Sequence, residues 1–283
     1  MRLIISHQTN YFYEQLALRS VQYIRMTPMT LPHQTIHNWQ VMLPKVAQMQ
    51  TDGFGNQWLT LSRHEPHNNL QIQAFGEVEI NADTLFIPDN QQVPYQIFAV
   101  PTKLTQCSEA MRDFAHDALE QFLQSEDIDA QLAILKSLAK DLLDKMPYTK
   151  SVTHVGTTAE QAFAMAAGVC QDHTHVFLAL LRDKGIAARY VSGYIYEATQ
   201  AHMASHAWAE VWLAGNWYTF DISNQHFTPN CHVYIAFGRD YADAAPVRGV
   251  RTGGGDERLY SQVMVSTSPQ YIPQLNAQFA AQQ

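Results

Sequence analysis

Cys170 stands at the head of a helical pattern, two residues after Gly168, which lets the backbone turn tightly. A thiol is a weak nucleophile until it loses its proton. A helix N-terminus, with its free amides and dipole, favours the anion, and so does a neighbouring imidazolium. The same free amides can hold the oxyanion of a tetrahedral intermediate. A base for such a thiol is offered by His206 in His206-Ala207-Trp208-Ala209-Glu210-Val211-Trp212-Leu213, which alternates strictly as a strand does. A turn at Ala214-Gly215 or Gly215-Asn216 leads into Trp217–Ile222. Ala207, Ala209, Val211 and Leu213, with Tyr218, Phe220 and Ile222, form the face expected in the core. His206, Trp208, Glu210 and Trp212, with Trp217, Thr219 and Asp221, form the other. With the first turn, Asp221 lies opposite Trp208 and diagonal to His206, at about 7–8 Å between backbones, which side chains can bridge. With the second it faces Glu210 and the reach is too long unless a bulge shortens it. An Asp221–His206 bond would fix the imidazole tautomer and leave its other nitrogen for the thiol proton.

Each piece also has a plain structural reading. Cys170 can be a small buried residue, and His206 and Asp221 can belong to a solvated strand face. His202 is a rival base, in the polar Glu197–Ser205 connection that suits a lid or groove rim. His173, His175, His202, His206 and Cys170 can be read as metal ligands. His173 and His175, however, are two apart on a helix and do not share a face, and the HExxH spacing is absent. No metal and no other cofactor are expected. Gly168 and Asp172, flanking the nucleophile, and Trp208, on the polar face, are the candidate substrate-binding residues. Asp172 also suits a helix start as an acid favoured by the dipole. Arg189 fits a structural ion pair.

Residues 1–81 carry period-two patterns: Arg2–Tyr13, Leu18–Arg25, Asn38–Leu43, Val46–Met49, Gln57–Leu61 and Leu70–Ile80. Short strands joined by turns, such as Asp52-Gly53-Phe54-Gly55-Asn56, suggest an antiparallel β-sandwich. Pro88, Pro94 and Pro101 mark residues 82–106 as a linker. Residues 107–270 then read as an α+β unit, helices followed by an antiparallel sheet. Ser108–Leu123 and Ile128–Lys145 have helical spacing, with caps at Ser108 and at Asp127 or Asp129. Thr157 or Thr158 starts a short helix through Met165. Val176, Phe177, Leu180 and Leu181 are the apolar stripe of the helix after Cys170, which Gly185 ends. Residues 271–283 form a tail.

The chain has 283 residues, 46% hydrophobic and 16% charged, so it can bury a core without disulfide staples. Its net charge of −8 and lack of a basic cluster argue against nucleic acid and anionic membrane surfaces as partners. Three widely spaced cysteines form no disulfide framework, and no stretch approaches 18 apolar residues. The N-terminus alternates like a strand instead of showing the pattern of a signal peptide. A reducing compartment, the cytoplasm, is the expectation; the sequence does not fix the oligomeric state.

Met146-Pro147-Tyr148-Thr149, Gly168-Val169-Cys170-Gln171-Asp172-His173-Thr174-His175, Ala188 through Tyr194, His206 through Val211 and Phe220-Asp221 together resemble the transglutaminase-like core. More narrowly, with Gly238-Arg239-Asp240-Tyr241 and Gly253-Gly254, the chain is similar to bacterial transglutaminase-like proteins, described as cysteine proteases, which place a β domain before that core. The resemblance implies a papain-like fold, with Cys170 as nucleophile, His206 as base and later acid, and Asp221 as orienting carboxylate. His173 and Thr174 depart from the pattern, where an aromatic or hydrophobic residue and a small one are expected. The implied activity is cleavage or transfer of an amide through a cysteine thioester. A protein or peptide would be the substrate, and water or an amine the acceptor. The alternative is a non-catalytic module that binds a peptide or protein on an idle fold of this kind.

Overall fold

The structure, a computed structural model, describes residues 1–197 and 205–267. Its longest element is β1 (Arg2–Ile24), which fuses the two strands expected at 2–13 and 18–25. Register breaks between Phe12 and Ala17 and between Ala17 and Arg19 let it bend without ending. It is the central strand of a seven-stranded antiparallel sheet with β2 (Gln34–Met42), β3 (Gln48–Thr51), β4 (Gln57–Arg63), β5 (His67–Ile80), β11 (Val247–Gly253) and β12 (Glu257–Ser266). On one side β1 pairs with β5 and then β4; on the other it pairs with β12 and then β11. Residues 247–266, expected within the 107–270 unit, therefore complete the first sheet. No local pattern reveals this, because Ile4 finds its partner at Ser266.

The second sheet runs in the order β10-β7-β8-β9-β6. Its members are β6 (Ile87–Pro88), β7 (Ala188–Ile195), β8 (His206–Leu213), β9 (Asn216–Phe220) and β10 (His232–Gly238). The 82–106 segment is not a free linker. Pro88 takes an edge position, where its missing N–H leaves the sheet ladder intact. Phe98 is fully buried, and the Arg182 guanidinium donates to the Phe98 carbonyl and to Thr105 Oγ1.

The helices are α1 (Glu109–Gln124), α2 (Ile128–Lys145), α3 (Ala159–Met165), α4 (Cys170–Asp183) and the single turn α5 (Tyr241–Ala244). Ser108, Asp127 and Thr158 accept hydrogen bonds from the first turns of α1, α2 and α3. Residues 172–182 of α4 are buried on every side, not along the expected stripe alone. One apolar cluster joins Leu3, Ile5, Val78 and Ile80 of the first sheet to α1, α2 and α4 and to β7 and β8. A second cluster, with Phe98, Trp208, Trp217 and Phe237, covers the other face of the second sheet. No helix among the described residues is long and apolar enough to cross a membrane.

Candidate active site

The approach to Cys170 is set by a strained turn. α3 ends at Ala166 in the left-handed region, and a short bridge then pairs Tyr148 with Gly168. A Cβ on Gly168 would lie 2.6 Å from the Asp172 Cβ, so glycine leaves room for that carboxylate. Asp172 Oδ2 accepts from the Val169 backbone N–H at 2.8 Å and from Thr153 Oγ1 at 2.6 Å. The bond fastens the first turn of α4 to the residue before it. Cys170 is thereby the first helical residue, and its own N–H lies among the donors a helix leaves unmatched. Its side chain is half-buried.

His206 opens β8, which joins β9 through a two-residue turn with positive φ at Ala214 (47°) and Gly215 (84°). Pairs from Leu213↔Asn216 to Ala209↔Phe220 fix the register. Its continuation sets Asp221 opposite Trp208, so the earlier of the two turns is the one formed. His206 Nε2 donates to Asp221 Oδ2 at 2.7 Å. The other ring nitrogen, Nδ1, is left free of the carboxylate, and Cys170 lies close enough to act on the charge of the same ring. His206 and Asp221 thus meet.

Sequence reasoning did not pick out the residues behind the carboxylate. His232 Nε2 donates to Asp221 Oδ2 at 3.0 Å. Asn224 donates its side-chain N–H to the same oxygen at 3.0 Å and its backbone N–H to Oδ1 at 3.2 Å. The Cys231 sulfur lies 3.6 Å from His232 Nδ1 and can donate its proton there. His232 begins β10, next to β7, so no spacing along the chain marks it.

The electrostatics follow from these contacts. Burial opposes a charged His206, but the Asp221 carboxylate and Cys170 outweigh it and raise the ring to about 10. Burial likewise opposes charge on Asp221, yet His206 and His232 hold it well below the usual carboxylate range. For His232, burial prevails over the Asp221 hydrogen bond and the ring is lowered, so it donates as a neutral group. His206, Asp221 and His232 present ligand atoms close enough to be considered for a metal. They are, however, closed on one another at 2.7–3.0 Å by hydrogen bonds through a single carboxylate oxygen.

Other expected site residues lie elsewhere. Trp208 is fully buried, stacked on His206 and edge-on to Tyr234, so it backs the base and lines no open groove. The polar strand face was expected to be open; the second apolar cluster covers it. Asp172 and Gly168 are also buried, and both act on the helix start. Glu210 pairs with Arg189 at 2.6 Å inside that cluster, and Trp212 stacks on Tyr95. His173 bonds the Met146 carbonyl and Ser223, whereas His175 accepts from the Tyr241 N–H. Asp240 caps α5. His202 lies outside the described residues, as do 271–283.

Residues 119–222 match the transglutaminase-like superfamily, and residues 3–79 match the bacterial transglutaminase-like N-terminal region. An uncharacterised Mycobacterium leprae protein is 26% identical over 268 residues, covering 90% of this chain and 94% of that one. One from Mycobacterium tuberculosis H37Rv is 26% identical over 282 residues, covering 88% and 87%. Among solved structures, a candidate cysteine protease from Cytophaga hutchinsonii superposes with a TM-score of 0.73 at 21% identity, covering 94% of this chain and 90% of that one. That likeness is one of fold.

Proposed function

From a chain that carries the transglutaminase-like core behind the bacterial transglutaminase-like N-terminal region, we infer a thiol enzyme of amide cleavage or transfer. The observation that carries this reading is the His206 ring held at Nε2 by Asp221, with Cys170 at the start of α4 near enough to act on its charge.

Sulfur and ring share one proton. A carboxylate on the far nitrogen favours its place on the ring. The sulfur then attacks an amide carbonyl, and the new oxyanion faces the free N–H at the helix start. As the tetrahedral intermediate collapses, His206 passes its proton to the departing nitrogen, which leaves as ammonia or an amine. A thioester on Cys170 remains. Water completes hydrolysis, or a second amine completes transfer. A peptide, an isopeptide or a glutamine side chain meets the chemical requirement. Three unpaired thiols suit a reducing compartment such as the cytoplasm.

The test is mass spectrometry of the protein incubated with peptide amides, with and without a primary amine acceptor. An acyl adduct on the Cys170 peptide, absent from Cys170→Ala, is expected. If no adduct forms and no product appears with any amide, the chain is a binding module instead.

A further inference from the structure

The first sheet holds a feature that the amide chemistry does not use. In antiparallel pairs, residues directly opposite share a face. Gln8 of β1 lies across from Gln73 of β5 and Gln262 of β12. Two residues on, Asn10 lies across from Gln71 and Tyr260; two further, Phe12 lies across from Asn69 and Arg258. One face of three adjacent strands is therefore a lattice of carboxamides bordered by two aromatic rings. It is the floor of a cavity of about 900 Å³, whose lining includes no Asp, Glu, Lys, Arg or His. That volume lies within the range of small-ligand sites.

The carboxamides are ordered. Gln73 Nε2 donates to Gln8 Oε1, and Gln8 Nε2 donates to Asn10 Oδ1, each at 3.1 Å. Gln71 and Gln262 make no side-chain hydrogen bond among the described residues, so both ends of each amide remain for a ligand. Phe12 and Tyr260 meet edge to face with centroids 5.9 Å apart, and both are about half exposed, at 48% and 58%.

We propose that this cavity binds a neutral oligosaccharide. Each hydroxyl of a sugar both donates and accepts, as a carboxamide does. The C–H faces of a sugar ring pack on exposed aromatic rings. The lining carries no charged side chain, and Arg258 stands at its border beside Phe12, so a phosphate would find one cation and not a cluster. β1 itself is paired along both edges here, so strand addition by a peptide is confined to the outer edges of β12 and of β5 near Asn69, an occupant that a decapeptide tests. The site is on the first sheet, so it stands whether or not Cys170 reacts.

The experiment is calorimetric titration of the full chain with cellotetraose, maltotetraose and chitotetraose, and with a glutamine-rich decapeptide. At least one saccharide should bind with a Kd below about 1 mM. Gln71→Ala and Tyr260→Ala, both at exposed positions, should each weaken that binding at least fivefold while the far-UV circular dichroism is unchanged. Cys170→Ala should bind as the wild type does. Failure of all three saccharides to bind overturns the proposal. So does a saccharide that both variants hold as tightly as the wild type, or binding of the decapeptide alone.

Discussion

Burial pushes the Cys107 thiol up to about 11 and the Cys231 thiol up to about 12, whereas Cys170 starts α4 near an imidazole steered by a carboxylate. Iodoacetamide near pH 7 should therefore modify Cys170 at least tenfold faster than the other two, as read by peptide mapping. Faster labelling of Cys107 or Cys231 would remove the nucleophile. His206→Ala should slow the Cys170 reaction and alter its pH profile. His232 gives a subtler test. His232→Leu leaves the Asp221 oxygen short of one donor in a buried site, and hydrogen bonds to charged groups contribute about 1.5–3 kcal/mol. Labelling of Cys170 should fall about tenfold or more, with partial recovery in His232→Gln, which can still donate. The pair His206 and Asp221 was legible because a two-residue turn dictates which side chains meet across a hairpin. His232 was not, because it reaches the carboxylate from a strand on the far side of β7. Strict alternation suggests one wet face and so a place for Trp208 beside a substrate; only packing reveals that its side of the sheet is dry.

At the level of elements, the start of α4 depends on one carboxylate and the space left for it. Asp172→Ala removes the bond to the Val169 N–H and should cost about 0.5–2 kcal/mol, by analogy with the loss of a helix cap. Gly168→Ala should cost a similar amount, because its methyl would collide with Asp172. Thermal unfolding monitored by circular dichroism reads both. If either variant melts like the wild type, the turn is not held in this way. The short helices were legible from their caps, and Ser108, Asp127 and Thr158 each serve as one. The 82–106 segment was not. Its prolines signal an interruption, but the contacts that fix it are made by Arg182 from a helix far along the chain.

For the molecule as a whole, acid is the revealing variable. Burial lowers His7 and His33 to about 4 and His175 to about 3, against about 6.5 in an unfolded chain. A ring kept neutral by folding adds stability that is complete above pH 6.5 and is lost as the pH falls toward these values. His206 is shifted the other way; its contribution is complete below 6.5 and fades only as the pH rises through about 10. The Asp221 pairing also survives acid, since that carboxylate titrates below the usual range. Between pH 6.5 and 4 the frame should fail before the His206–Asp221 pair titrates. Circular dichroism and Cys170 labelling should then decline together along one curve. Loss of labelling at a higher pH than loss of ellipticity would refute the expectation.

β1 is synthesised well before β11 and β12, yet one of its flanks waits for those two strands. At about 5–20 residues per second, some 10–45 s separate the two ends during synthesis. For that interval a long backbone edge stands ready for any passing strand. A nascent chain of this kind has reason to need a chaperone early, and a premature stop before residue 247 should yield aggregates instead of a shorter working protein.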